Sequence, residues 1–173
     1  MKRLGLLRHA KSDWGQSDKR DFDRGLNARG RRGAALMGAH VRAEGTAWSL
    51  LIASPAVRVK RTLEAAELGL APRWDERLYL AGTDTIYDVL RECSGEAVLL
   101  AAHNPGLGDM VVDLVSPAQE NALFDEAKVK FPTAAFAVLE LAIDDWSDLR
   151  AECGTLVHFK RPRDLDPNLG PED

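Results

Sequence analysis

Polar residues of a particular kind follow three apolar segments of this 173-residue chain: Arg8 and His9, Ser54 and then Arg58, and His103 and Asn104. Two arginines and two histidines delivered in this way suit one class of ligand. A guanidinium fork binds phosphate oxygens in bidentate fashion, and helices opening at Pro55 and Pro105 would add backbone N–H donors at their N-termini. Histidine supplies a nucleophile for neutral pH, because its ordinary pKa is about 6.5. Neighbouring arginines disfavour a further positive charge and hold the imidazole neutral, in the form that attacks. An Arg-His pair is also how a strand surfaces into solvent. What sets this set apart is its recurrence at three strand ends, and the pattern predicts one phosphoryl pocket built from Arg8, His9, Arg58 and His103.

Competing chemistries fit less well. Gly106 and Gly108 open a helix after a strand, but the dinucleotide fingerprint needs glycine where Val111 stands, and no GxxxxGK[ST] loop exists. A metal site wants carboxylates or thiols beside the histidines, and the arginines would repel a cation. No metal or organic cofactor is therefore expected. The net charge of -4 argues against nonspecific nucleic-acid binding, which needs a basic face. Cys93 and Cys153 lack CxxC spacing and a histidine at ligand spacing, and are expected as reduced, space-filling thiols. His40 and His158 fall within a helix and a strand without a partner motif, and are expected to be structural.

The elements that must position the polar set are legible from periodicity. Arg3 to Leu7 predicts a buried strand, and Lys11 to Asn27, charged and broken by Gly15 and Gly25, a long surface loop. Helical spacing from Ala28 to about Ala43 turns Ala35, Leu36, Ala39 and His40 inward, and Gly45 ends it. Ser49 to Ala53 predicts the second strand. Ser54 and Pro55 supply an N-cap and first helical position for a helix to Leu68, with Val59, Leu63, Ala66 and Leu70 on one stripe. A short strand is expected over Arg73 to Leu78 and a helix over Thr83 to Cys93, capped by Thr83 or Asp84. Ala97 to Ala102 is the clearest buried strand, followed by a helix over Pro105 to Val115.

This order predicts an α/β fold: a single three-layer domain, with a mostly parallel central sheet flanked by helices. Ala134 to Ile143 and Thr155 to Phe159, joined by an acidic turn at Asp144, Asp145 and Asp148, would add an antiparallel C-terminal edge hairpin. In such sheets ligands bind beyond the carboxyl ends of the strands, where the polar set lies. One domain is expected over residues 1–161, with a frayed tail over 162–173 rich in Pro and Asp. Hydrophobic residues make up 45% of the chain, and no apolar stretch approaches the ~20 residues a membrane span needs, so no membrane association and a cytoplasmic location are expected.

The same residues resemble the histidine phosphatase superfamily, the phosphoglycerate mutase-like fold. Arg8-His9-Ala10 is similar to its Arg-His-Gly motif, and "FDRGLNARGRRGA" to its Arg-Pro-Leu-Thr-x-x-Gly stretch, with Gly25 in place of proline. "ASPAVRVKRTLE" resembles Ser-Pro-x-x-Arg-x-x-x-Thr, and "LLAAHNPGL" the second-histidine segment. The compact length and "KFPTAA" at Lys130 to Ala135 look most like the SixA-type phosphohistidine phosphatase branch. The resemblance implies that His9 becomes phosphorylated, that Arg8, Arg58 and His103 hold the phosphoryl group, and that water then hydrolyses the phosphoenzyme. It also implies no cofactor. Ser12 falls where relatives carry a serine near the substrate. Glu76, in "WDERLYLAG", occupies the context of the glutamate that serves mutase-like members as general acid, or is a plain surface carboxylate. The aspartate that acid-phosphatase relatives place after the second histidine is Asn104 here.

Between Glu76 and His103 there is room for only about one helix and one strand, a minimal cap, whereas the larger mutases carry a longer insertion there. An uncovered pocket admits a side chain of another protein. The expected activity is thus a metal-independent phosphatase acting on phosphohistidine in a protein, such as a histidine-containing phosphotransfer module of a phosphorelay. A phosphatase or mutase for small phosphorylated metabolites, and a phospho-ligand binding protein without turnover, stand as alternatives. Lys19, Arg20 and Arg24 in the first loop could guide an acidic partner or simply be a solvated face.

Overall fold

The chain runs through β1 (Lys2–Arg8), α1 (Ala28–Glu44), β2 (Leu50–Ala53), α2 (Val57–Ala66), β3 (Arg73–Trp74), α3 (Thr83–Arg91), β4 (Ala97–Ala102), α4 (Gly106–Leu114), α5 (Ala122–Val129), β5 (Phe136–Leu141), β6 (Gly154–Lys160) and α6 (Pro162–Leu165). This computed structural model describes residues 1–16 and 18–170. The six strands form one sheet in the order β3-β2-β4-β1-β5-β6. β1, β2, β3 and β4 pair in parallel, while β5 runs antiparallel to both β1 and β6. The parallel sheet with an antiparallel edge hairpin is the architecture expected from the sequence.

Alternation along the strands feeds two cores. Leu4, Leu6, Ile52, Val98 and Leu100 pack on one face with residues of α3, α4 and α5. Leu7, Leu51, Leu99 and Val138 pack on the other with Met37, Val41 and Val59. All six residues of β4 are buried, as a central strand covered on both faces requires.

α1 departs from its expected face. Ala35, Leu36 and Ala39 are exposed, and the buried side is Gly30, Gly33, Ala34, Met37, Gly38 and Val41. Hydrophobic periodicity gives glycine no weight, yet here glycine makes the contact: a Cβ at Gly38 would stand 2.0 Å from the Ala66 carbonyl oxygen of α2. The two helices touch backbone to backbone.

Other boundaries shift for local reasons. α2 begins at Val57 with Ala56 as its N-cap, so Ser54 and Pro55 lie in the preceding turn. Gly82 caps α3 where Thr83 or Asp84 was expected, and Pro105 is the N-cap of α4. The strand expected over Arg73 to Leu78 shrinks to β3, because Asp75 accepts from the Arg77 amide and starts a 3-10 turn over Glu76–Leu78. Residues 162–170, expected to fray, instead form α6 and a 3-10 turn over Pro167–Leu169 with Leu169 buried. Asp164 and Arg161 bond reciprocally across the start of α6, and Arg29 donates to the Gly170 carbonyl. The rest of the expected tail, residues 171–173, lies outside the described residues. No helix among the described residues is long and apolar enough to cross a membrane. Cys93 and Cys153 are free and buried.

Candidate phosphoryl site

Strand register brings the polar set to one rim. Arg8 pairs with Ala102 and Ala53 with Ala101, so β1, β2 and β4 end nearly level. The ladder continues one step, with the His9 amide donating to the Ala102 carbonyl at 3.2 Å and the Ser54 amide to Ala101 at 3.0 Å. His9, Ser54 and His103 therefore leave the sheet side by side. Arg58 joins them from the first turn of α2. Its position is braced by Thr62, whose hydroxyl donates to the Arg58 carbonyl at 2.7 Å and accepts from the Ala10 amide at 2.9 Å. One hydroxyl thus ties the loop after β1 to the helix that carries the second arginine.

His9 is buried, and its Nδ1 lies 2.8 Å from the Ala10 carbonyl oxygen. A carbonyl only accepts, so Nδ1 carries the proton and Nε2 keeps a lone pair. Burial drives the His9 pKa down to about 3, assisted by the charges of Arg8 and Arg58 and by His103, against the opposing Ala10 hydrogen bond. The His103 ring stands 5.3 Å from that of His9, centroid to centroid. Burial, then Arg58, lowers the His103 pKa to about 4. Both imidazoles are neutral at pH 7.

Ser54 is fully buried and its Oγ lies 2.8 Å from His103 Nε2. The same oxygen accepts from the Ala56 amide at 3.3 Å. When the hydroxyl gives its hydrogen to Nε2, both bonds are satisfied and the ring proton of His103 falls on Nδ1. That nitrogen is buried without a partner among the described residues, as is Nε of Arg8. Unpaired buried donors are rare in folded proteins, and two of them in one cluster suit an oxyanion. Arg8 is oriented through Nη1, which donates to the Phe131 carbonyl at 3.0 Å, and Asn104 donates to the same oxygen at 2.8 Å.

Two residues of this cluster were not anticipated. The carboxylate of Asp21, in a 3-10 turn of the first loop, accepts from Arg58 Nη2 at 3.0 Å and from the Tyr79 hydroxyl. The Asp21 backbone carbonyl takes Arg58 Nη1 at 2.8 Å. Hydrogen bonding from Tyr79, then from Arg58, holds this carboxyl below the usual range, so it is ionised at neutral pH. A doubly charged phosphoryl group reaching Arg58 meets a like charge on the guanidinium it needs. Asp21→Asn should bind inorganic phosphate more tightly, by about three- to tenfold, since a like charge at a partly exposed site is worth on the order of 1 kcal/mol. Calorimetric titration checks this; weaker binding would mean that orienting Arg58 outweighs the repulsion.

The remaining candidates are placed differently. Ser12 is buried and bridges Leu26, held through its backbone carbonyl by Asn27 Nδ2 at 3.3 Å. Glu76 is exposed at the start of its 3-10 turn, and no hydrogen bond or ion pair among the described residues ties it to the cluster. That segment sends Tyr79 instead, whose ring lies 5.5 Å from His103. In the first loop, Arg20 pairs with Asp23 and Arg24 stacks over Trp14. His40 and His158 stand together, Nε2 to Nε2 at 2.8 Å. Among the described residues no group of three or more His, Cys, Asp or Glu could hold a metal ion.

The histidines make stability depend on pH. An unfolded histidine titrates near 6.5, whereas His9 and His103 are held to about 3 and about 4. Below pH 6.5 the unfolded chain binds protons that the folded one refuses. The stabilisation is complete above that pH and shrinks as pH falls, by about 2 to 3 kcal/mol per histidine at pH 4.5. His40 and His158 are shifted downward too, burial being the main cause. The melting temperature should be flat above pH 7 and fall steeply between pH 6.5 and 4.5; equal midpoints at pH 7.5 and pH 5 would contradict this burial of neutral imidazole.

The sequence profile of the histidine phosphatase superfamily (branch 1) matches residues 4–79. An uncharacterized protein of Mycobacterium leprae is 34% identical over 162 residues, covering 91% of this chain and all of the relative. The chain belongs to the histidine phosphatase superfamily. A Nakamurella multipartitia structure assigned to phosphohistidine phosphatase SixA superposes with a TM-score of 0.82 at 28% identity, covering 93% of this chain and 96% of that one. One from Agrobacterium tumefaciens, with the same assignment, gives 0.75 at 28% identity, covering 93% and 98%. This phosphatase thus stands on the SixA-like branch and has the phosphoglycerate mutase-like fold.

Proposed function

We propose that this phosphatase removes the phosphoryl group from phosphohistidine on a protein, with His9 as the nucleophile. The observation that carries the proposal is the His9 ring itself: Nδ1–H is fixed on the Ala10 carbonyl, Nε2 keeps its lone pair, and Arg8, Arg58 and His103 surround it. In the first step Nε2 of His9 forms a bond to phosphorus as the phosphorus–nitrogen bond to the substrate imidazole breaks. The leaving ring departs neutral, carrying its proton on its other nitrogen. Water then attacks phosphorus, the bond to His9 Nε2 breaks, and inorganic phosphate is released. Arg8 and Arg58 neutralise the equatorial oxygens, and His103 donates from Nδ1. Catalysis by position and charge in this way is the general pattern of phosphoryl transfer.

Three observations support a protein substrate. A neutral leaving imidazole needs no strong general acid, and Glu76 is not joined to the cluster. Between β3 and β4 the chain forms only a 3-10 turn and α3, so no further insertion lies over the site. The SixA assignments of the Nakamurella and Agrobacterium structures point to phosphohistidine as well. A cytoplasmic signalling role, with a phosphotransfer protein as partner and without a metal, follows from this proposal. Its test is a panel of a phosphorylated histidine-containing phosphotransfer protein against sugar phosphates and phosphoglycerates. The phosphoprotein should lead in kcat/KM by at least tenfold, and a preference for the metabolites would sink the proposal.

A further inference from the structure

Beside the phosphoryl site, and sharing Arg8 with it, lies a cavity of about 250 Å3 that the mechanism does not use. Arg8, Lys11, Arg29, Lys130, Arg161 and Arg163 line it, and no aspartate or glutamate does among the described residues. For a chain with a net charge of -4 this is a local reversal of sign, and a concave surface of one sign focuses field onto a ligand. The cations arrive from four separate segments: the end of β1, the start of α1, the turn before β5, and the start of α6. Arg161 is committed to Asp164 at 3.0 Å. Lys11, Lys130 and Arg163 have no ion pair among the described residues, and Lys130 and Arg163 stand exposed at the rim.

Size and lining narrow the ligand. The cavity is smaller than the about 300 to 1,000 Å3 of pockets that enclose a cofactor or drug-sized molecule, and suits a side chain. Pro132, Ala134, Pro162 and Leu169 give it an apolar floor that fits methylene carbon. Lys11 and Lys130 are point charges on flexible stems that adapt to a carboxylate, and the Arg163 fork matches the two oxygens of one.

We propose that this cavity is a carboxylate-reading subsite, which receives an acidic side chain flanking the phosphohistidine of the substrate protein. The proposal builds on the phosphoprotein reading above and names what this phosphatase selects within that class.

The test uses two synthetic peptides, each with one histidine phosphorylated by phosphoramidate, that differ only in glutamate or glutamine at the flanking positions. The native protein should favour the glutamate peptide by about five- to tenfold in kcat/KM, and less in high salt. In the Lys130→Ala/Arg163→Ala variant the two peptides should become nearly equal while hydrolysis of phosphoramidate itself is unchanged. Both changes are at exposed positions and leave the core intact. Equal rates for the two peptides in the native protein, or a preference that survives in the variant, overturn the subsite. Calorimetric titration of the unphosphorylated peptides reads the cavity without turnover: a glutamate preference there with no hydrolysis of phosphoramidate or of either phosphopeptide overturns only the phosphatase reading. Binding of inorganic pyrophosphate, but of neither peptide, would overturn the subsite in favour of a small-anion site.

Discussion

His9→Ala should lose turnover by a factor of about 10⁴ or more, the loss typical when the nucleophile of a cooperating set is removed, and should remain folded. The ring does not hold the core together. It sits at the end of β1 against Ala10 and His103, while the strand below it is fixed by Leu4, Leu6 and Leu7. Because folded His9 resists protonation, its removal should also flatten the acid limb of the stability curve. A merely structural histidine would lose stability with activity. The phosphoryl adduct gives a direct reading: an alkaline quench should trap an acid-labile phosphate on the native protein and none on the variant. Residual activity above a tenth of the parent's would rule out His9 as nucleophile.

How much of this was legible in the sequence divides along one line. That Arg8, His9, Arg58 and His103 come to one rim was readable because each lies at or shortly after the end of a strand whose apolar run is unambiguous, and the sheet itself sets where strand ends meet. Asp21 and Tyr79 were not, because Asp21 lies in a 3-10 turn and Tyr79 directly follows one, segments with no periodicity of their own. Asp21 is one of several charges in a loop that reads as solvated, and only the fold carries it to Arg58, 37 positions on. The signal that could have exposed Asp21 is chemical: an arginine as buried as Arg58 needs a counter-charge, and the charged loop after β1 is where acids precede it. The inward face of α1 was missed for a related reason. Its glycines pack by letting backbones touch, a contact that hydropathy does not record. His40 and His158 were expected as structural residues without a partner motif, but they are hydrogen-bonded to each other; 118 positions separate them and no spacing rule joins them.

Arg58 is where the site's charge balance can be measured. Its guanidinium is buried with two nitrogens on Asp21, and it adds to the charge that keeps His9 and His103 neutral. Arg58→Ala removes a charge-assisted donor to the transition state, worth about 3 to 4 kcal/mol, or two to three orders of magnitude in kcat/KM. Arg58→Lys should recover little, because a point charge cannot span two oxygens as the fork does. The single variant carries a second cost, however, since it leaves the Asp21 carboxylate beside the site without its partner. Adding Asp21→Asn to Arg58→Ala should then restore activity by about tenfold over Arg58→Ala alone, as removal of a stranded like charge predicts. If the double variant is no better than the single one, Asp21 does not oppose the phosphoryl group.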